Sequence, residues 1–320
     1  MSVLITGGTG SFGHAMARTL LTQGCQRVVI YSRDEVKQDA MRVTFGDDPR
    51  LRFFLGDVRD KERLARAMHG IHTVYHAAAL KRVPQAEYNP TEAIKTNILG
   101  TMHVCDAAID AAVAVVVALS TDKATAPTNL YGATKLCLEK LVVASNAYAP
   151  GQTRLMCVRY GNVAGSRGSV IPLWREGLEN RIPPTVTHPG MTRFWITLPE
   201  AVALAQRATT GQGGEVFIPL LSAYTVGELC AAVCSAFGGE GWLPNDLPAP
   251  CGLRPGEKMH ELMLSEDELH LARDYGTHLC LHPTSPWVEQ TDGQPVLAPV
   301  VSNSVPRLSL TDLQERLRYV

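Results

Sequence analysis

Val3-Leu4-Ile5-Thr6-Gly7-Gly8-Thr9-Gly10-Ser11-Phe12-Gly13 is the stretch that decides the fold. A short apolar run ends in glycines, and Ser11 to Leu21 follows with helical character. Glycines at 7, 10 and 13 suit a strand-to-helix turn beneath a pyrophosphate. Gly7 permits the turn, Gly10 lets the backbone approach the phosphates, and Gly13 lets the helix pack closely on the sheet. Glycine patterns arise by chance in a chain with 27 glycines, but one placed between the first strand and first helix of a βαβ series is a strong signal.

Working outward, Arg27 to Tyr31, Leu51 to Leu55, Thr73 to Tyr75 and the β-branched run Val113 to Leu119 read as further strands, with helical stretches between. This alternation predicts an α/β fold, a doubly wound parallel sheet of Rossmann type that binds ligands beyond the carboxyl ends of its strands. Pro90 suits a first helical turn, and Ile94, Ile98, Met102, Cys105 and Ile109 then recur at helical spacing. A second helix begins near Leu130 and continues through Leu136, Leu141 and Val142. These helices either cover the sheet or keep an apolar face for a second subunit. After Tyr160 the pattern breaks. Gly161 to Pro189 and Gly238 to Pro255 are loop-rich, with a helix over Thr225 to Phe237 and another over Leu310 to Leu317. Residues 1–160, with 192–219 returning, are expected to form the dinucleotide-binding domain. Residues 161–191 and 220–320 are expected to form a smaller substrate lobe and a tail.

Composition narrows the class. The 320 residues are 45% hydrophobic and 19% charged, with 30 basic and 31 acidic side chains, a net charge of −1. Neither nucleic acid nor an anionic membrane is an expected partner. The longest apolar run, Ala111 to Leu119, is far short of the ~20 residues a spanning helix needs. A strand pattern from Val3 leaves no room for a signal peptide. Eight cysteines are scattered, and Cys230 and Cys234 have helical rather than zinc-knuckle spacing, so no metal is expected and the thiols read as reduced. A cytoplasmic protein fits.

The second strand ends in Ser32-Arg33, with Lys37 one helical turn beyond. A hydroxyl and two cations suit a 2′-phosphate, which favours NADP over NAD. Asp34 and Glu35 follow at once and are placed to serve a helix dipole. Asp57 is placed either to meet the adenine or to cap a helix.

The fifth strand runs into Leu119-Ser120-Thr121-Asp122-Lys123, and Tyr131 and Lys135 follow at i and i+4 on one helix face. A tyrosine that takes a proton from an alcohol needs its phenolate stabilised, and a lysine one turn away supplies that field. A hydroxyl such as Thr121 completes the set an alcohol oxidation needs, and behind this strand the Tyr131–Lys135 pair resembles the signature of the short-chain dehydrogenases/reductases. Asp122 and Lys123 are either an exposed ion pair or an acid and a base for a second proton transfer, such as elimination of water beside a new ketone.

From Ile5 to about Leu271 the sequence resembles the inverting UDP-N-acetylglucosamine 4,6-dehydratases, extended short-chain dehydrogenases that start pseudaminic acid synthesis in bacteria. The carrying segments are Thr6 to Gly13, Tyr31 to Glu35, His76 to Lys81, Leu119 to Lys135, Arg159 to Val163, Gly165 to Val170, Met191 to Thr197 and Arg254 to Lys258. Tyr131 points to the inverting branch, since retaining relatives carry methionine there. The resemblance implies that Tyr131 deprotonates the sugar 4-hydroxyl, Lys123 removes H5 and Asp122 protonates the departing 6-hydroxyl. For this Lys123 is expected to have a lowered pKa. Hydride returns to C6, C5 is inverted, and tightly bound NADP is regenerated at each turnover. Ser11, Phe12, Val58, Ala77 and Ala78 join the implied cofactor contacts. The substrate, UDP-N-acetylglucosamine, is expected at Lys81, Asn162, Val170, Arg193, Arg254 and Glu257, with the two arginines clamping the diphosphate. His76 is assigned to the sheet edge and Trp195 to the core. The resemblance also implies a homo-oligomer, a dimer or larger, up to a hexamer.

Leu220 stands where close relatives carry lysine, and Thr187 to Gly190 and the tail match poorly. Competing readings are a nucleotide-sugar 4-epimerase or reductase, in which Asp122 and Lys123 would be decorative, and a non-catalytic NADP-binding redox sensor.

Overall fold

The computed structural model describes residues 1–238, 249–283 and 293–319. The first half alternates β1 (Ser2–Thr6), α1 (Ser11–Thr22), β2 (Arg27–Ser32), α2 (Glu35–Thr44), β3 (Leu51–Leu55), α3 (Lys61–Met68) and β4 (Thr73–His76). Helices α4 (Val83–Tyr88), α5 (Pro90–Ile94) and α6 (Gly100–Asp110) follow, the last two joined by a π-helical turn at Lys95–Leu99. Then come β5 (Val115–Leu119), α7 (Leu130–Ser145), β6 (Arg154–Val158), β7 (Asn162–Val163), α8 (Val170–Glu179), β8 (Thr192–Ile196), α9 (Leu198–Ala208) and β9 (Val216–Pro219). The remainder holds β10 (Ala223–Thr225), α10 (Val226–Phe237), β11 (Leu262–Leu264), β12 (Ala272–Asp274), β13 (His278–Leu281), β14 (Gln294–Pro295), β15 (Val300–Val301) and α11 (Leu310–Leu317).

The main sheet has the order β14-β12-β13-β9-β6-β5-β4-β1-β2-β3, parallel from β3 to β9 and extended by antiparallel β13, β12 and β14. All five side chains of β5 are buried. Val116 and Ala118 pack with the α3, α6 and α7 side, while Val115 and Val117 pack with α1 and α9. A strand buried on both faces explains the unbroken β-branched run. β2, β4 and β5 end within a few residues of expectation.

One alternative falls and one expectation needs correction. The stripe Ile94, Ile98, Met102 does not cover the sheet, which leaves the reading of an outward apolar face. Ile94 and Met102 are 39% and 38% exposed, while Ala93, Asn97, Thr101 and Val104 are buried. The π turn inserts a residue into the helical register, so the inward face passes to neighbouring positions. The domain boundary also moves. β12, β13 and β14 join the main sheet through β9, so residues 272–281 and 294–295 belong to the dinucleotide-binding half. Conversely β8 belongs to a separate three-stranded sheet, β10-β8-β7, so only α9 and β9 of 192–219 return fully. The smaller lobe packs α8, α10 and α11 over that sheet around Trp174, Leu229, Val233, Leu313 and Leu317. Part of the loop expected at Gly238 to Pro255, residues 239–248, lies outside the described residues. No helix among those described is long and apolar enough to cross a membrane.

Candidate active site

A cleft of about 1120 Å³ runs along the carboxyl ends of β1, β4, β5 and β6. The smaller lobe closes it with α8, Arg193 and Trp195 of β8, and the segment Arg254 to Glu261.

At one end lies the glycine turn. Gly7 adopts φ +63°, and a side chain there would also press on the Ala78 backbone at 2.8 Å. A Cβ on Gly13 would run into the Gly8 carbonyl, so Gly13 supports the turn from beneath and does not line the cleft. Gly10 caps α1 without a side-chain hydrogen bond, and no acidic residue occupies the first helical turn. The positive helix end, with Ser11 and Phe12, therefore opens into the cleft as a phosphate cradle, beside Ala77 and Ala78. These residues fit the diphosphate of a dinucleotide. His76, at the end of β4, is buried and bonded to Thr6 (2.7 Å) and Thr101 (3.0 Å), and burial lowers its pKa to about 3.

The adenosine-end residues are more dispersed. Asp34 caps α2, accepting from the Lys37 amide at 3.0 Å, and also pairs with the Lys37 ammonium at 2.5 Å. Lys37 reaches the cleft, whereas Ser32 accepts a hydrogen bond from Gln38 and Arg33 is largely exposed, 3.7 Å from Asp57. Asp57 caps no helix, because Asp60 caps α3; its carboxylate accepts from the amide and guanidinium of Arg59. Val58 is core, and a side chain on Gly100 would meet it at 2.7 Å. Ser32, Arg33, Asp57 and Val58 thus lie off the cleft wall. Sequence inspection passed over Arg167, which reaches the same turn from the smaller lobe. Its amide donates to Ser11 Oγ at 2.9 Å and its guanidinium to the Thr9 carbonyl at 3.4 Å.

The centre of the cleft gathers Thr121, Lys123, Tyr131 and Lys135. α7 starts at Leu130 because Asn129 accepts from the Gly132 amide at 2.9 Å. A Cβ on Gly132 would overlap the Lys123 carbonyl, so this glycine lets the tyrosine-bearing turn press against the Lys123 backbone. Burial raises the Tyr131 phenol to about 12, opposed by the Lys123 charge and by a hydrogen bond with Thr121. The cation acting on Tyr131 is therefore Lys123. Lys135 donates to the Leu119 carbonyl at 2.8 Å, and burial lowers its pKa to about 8.

Lys123 turns inward, its Nζ 3.0 Å from both Asp122 Oδ1 and Glu261 Oε1. The expected lowering of its pKa does not occur. Burial acts downward, but the two carboxylates more than offset it and the ammonium is stabilised. Asp122 is wholly buried behind Lys123, off the cleft wall, and accepts from Thr121 at 2.9 Å. Burial and the Glu261 charge push its carboxyl up, against Lys123. The Asp122–Lys123 pair is no exposed ion pair.

Lys81, between β4 and α4, lines the cleft together with Asn162, Val170, Arg193, Arg254 and Glu257 beyond β6. Arg193 is already engaged: its guanidinium donates to the Thr192 carbonyl and lies 3.5 Å from Glu257 and 3.7 Å from Glu261. Glu257 accepts from the Arg254 amide at 3.2 Å. Trp195 is buried edge-on against Tyr224, although one edge reaches the cleft. Glu261 is a second functional candidate that sequence inspection missed, three residues past the Arg254–Lys258 segment.

Against known proteins, residues 3–283 match the family described as polysaccharide biosynthesis protein. The chain is 45% identical over 293 residues to the inverting UDP-N-acetylglucosamine 4,6-dehydratase of Campylobacter jejuni serotype O:2, covering 90% of this chain and 85% of that relative. It is 40% identical over 329 residues to the UDP-glucose 4-epimerase of Rickettsia felis, covering 99% and 95%. Among solved structures, Pen from Bacillus thuringiensis superposes with a TM-score of 0.91 at 34% identity, over 100% of this chain and 98% of that one.

Proposed function

This chain belongs to the polysaccharide biosynthesis protein family, and we propose that within it the protein is an inverting UDP-N-acetylglucosamine 4,6-dehydratase, a hydro-lyase. The reading rests on one observation: Lys123, held 3.0 Å from the buried Asp122, lines the same space as Tyr131, inside a cleft with a dinucleotide cradle at one end. An oxidation alone needs Thr121, Tyr131 and Lys135. An acid and an amine beside them equip the site for a further proton transfer.

A bound nicotinamide dinucleotide supplies the two-electron exchange that oxidises C4 and later reduces C6. Tyr131 takes the 4-hydroxyl proton, and Thr121 and Lys123 stabilise its phenolate. Lys123 takes the C5 proton once the 4-ketone has acidified it. Asp122, whose pKa burial and the Glu261 charge push up, gives its proton to the departing 6-hydroxyl. Reprotonation of C5 from the opposite face inverts that centre. Asn162, Val170 and Lys81 hold the sugar, Arg254 and Arg193 the diphosphate, and Glu257 the uridine ribose. Lys37 at the cleft favours NADP as the dinucleotide. The half-exposed Ile94, Leu99 and Met102 form an apolar outer strip that suits a homo-oligomer.

A 4-epimerase is the second reading, because relatives so named cover nearly the whole chain. Incubation of UDP-N-acetylglucosamine in heavy water separates the two. A 6-deoxy-4-keto product with deuterium at C5 supports the dehydratase. Recovery of the 4-epimer alone overturns it.

A further inference from the structure

Glu261 is 2% exposed, and its backbone is fixed from both sides by Ser302, which accepts from the Glu261 amide and donates its own amide to the Glu261 carbonyl, each at 2.9 Å. Its Oε1 is 3.0 Å from Lys123 Nζ and 3.7 Å from Arg193 Nε. Asp122 Oδ1 lies at the same 3.0 Å from Lys123 on the other side. The remaining oxygens, Glu261 Oε2 and Asp122 Oδ2, are buried without a hydrogen-bond partner among the described residues. One ammonium is therefore shared by two dry carboxyl groups, an arrangement in which only one carboxyl is readily ionised.

We propose that Glu261 is the proton partner of Lys123, receiving the ammonium proton so that the amine becomes a base while Asp122 remains an acid. The proposal rests on the dehydratase reading. Burial and the Glu261 charge push Asp122 up, whereas Lys123 and Arg193 outweigh burial at Glu261 and hold it ionised. In the proposed resting set Asp122 is the carboxylic acid, Lys123 the ammonium and Glu261 the carboxylate. Elimination needs the first as it stands and the second without its charge. A shift of one proton from Lys123 Nζ to Glu261 Oε1, across 3.0 Å and against the resting preference of both groups, supplies that state with no change in net charge. The free amine then takes the C5 proton, the C5–H electron pair becomes the C5–C6 double bond, the C6–O bond breaks, and Asp122 protonates the leaving oxygen to give water. Lys123 next passes a proton to Asp122 and regains one from Glu261, which restores the resting set.

The test is Glu261→Gln, which keeps volume but cannot hold the proton. Besides Lys123 and Arg193, the charged or titratable groups bearing on this carboxylate are Asp122, Lys258 and Tyr224, all unchanged by the substitution. In the wild type, kcat is flat across the neutral range because the base forms by internal transfer. In the variant kcat falls about 100-fold at neutral pH, with KM little changed. It then climbs tenfold per pH unit as bulk hydroxide deprotonates Lys123. Glu261→Asp, which restores a carboxylate, restores the flat profile. An unchanged kcat in Glu261→Gln, or a uniformly lower but flat profile, overturns the proposal. A second measurement needs no substrate: isotope-edited NMR of the Lys123 nitrogen, whose titration moves down in Glu261→Gln. An unmoved titration also overturns the proposal. Failure of the wild type to dehydrate UDP-N-acetylglucosamine overturns the proposed function instead, and the nitrogen titration then decides the Lys123–Glu261 coupling by itself.

Discussion

Arg159, at the end of β6, holds Glu139 of α7 through both Nε (3.0 Å) and Nη2 (2.6 Å), and it reaches Glu268 of the following lobe at 2.9 and 2.8 Å. Only 1% of this arginine is exposed. Glu139 lies one turn beyond Lys135, so the pair fixes the helix that carries Tyr131 and Lys135. Arg159→Met leaves a buried carboxylate without its counter-charge and is expected to cost about 3–5 kcal/mol. Urea unfolding of both proteins measures it, and a loss below about 1 kcal/mol would show that the helix is held by packing alone.

Lys123→Ala removes the amine from between Asp122 and Glu261 without touching the glycine turn. The variant is expected to lose turnover by at least about 100-fold while its dinucleotide affinity stays near the wild-type value. Calorimetric titration paired with a product assay checks both halves. Retained activity would remove Lys123 from the chemistry.

His76 predicts a pH dependence of stability. Its native pKa is depressed to about 3 by burial, whereas the unfolded value is near 6.5. Between those limits the unfolded chain binds the extra proton, so stability is highest above the upper limit and falls as pH drops toward the lower. The slope from this residue is roughly 1.4 kcal/mol per pH unit. His76→Asn, tested by urea midpoints at several pH values, is expected to flatten the profile by that amount.

Gly13→Ala places a methyl group against the Gly8 carbonyl, where neither helix nor turn has room to yield. A loss of about 1–3 kcal/mol or more is expected, with dinucleotide binding weakened beyond the loss of stability because the turn itself is displaced. Thermal melts with and without dinucleotide separate the two effects.

Lys37 tests the choice of dinucleotide. If it meets a 2′-phosphate after leaving Asp34, Lys37→Ala weakens NADP binding about tenfold and leaves NAD binding nearly unchanged. Equal losses for both would assign Lys37 to Asp34 alone.

The strand–glycine–helix unit was legible because its signals are local. Turn, helix start and strand alternation all lie within a dozen residues of one another, and Thr121, Asp122, Lys123 and Tyr131 fall on a single strand-to-helix connection. Glu261 was not legible in this way. It reaches Lys123 across 138 positions of sequence, and its approach depends on the pairing of β11 with β15 and on Ser302, none of which has a periodic signature. Which way the Ile94–Met102 stripe turns was not legible for the opposite reason. The apolar spacing is real, but the π turn rotates it away from the sheet, and a one-residue insertion in helical register leaves no mark on composition. The placement of β12 and β13 was missed because short antiparallel strands on a sheet edge carry too few residues to alternate clearly.

From β11 onward the polypeptide lays β12 and β13 along the outer edge of the large sheet and then returns to seat α11 against α10. It thereby bastes the two halves of the molecule together like a thread passed through both layers of cloth. Deleting α11 would strip an amphipathic cover from the smaller lobe, and deleting β12 and β13 would unpick a seam of the large sheet. A reporter or purification handle is therefore better spliced at the other terminus, where β1 has its amino end pointing away from the cleft.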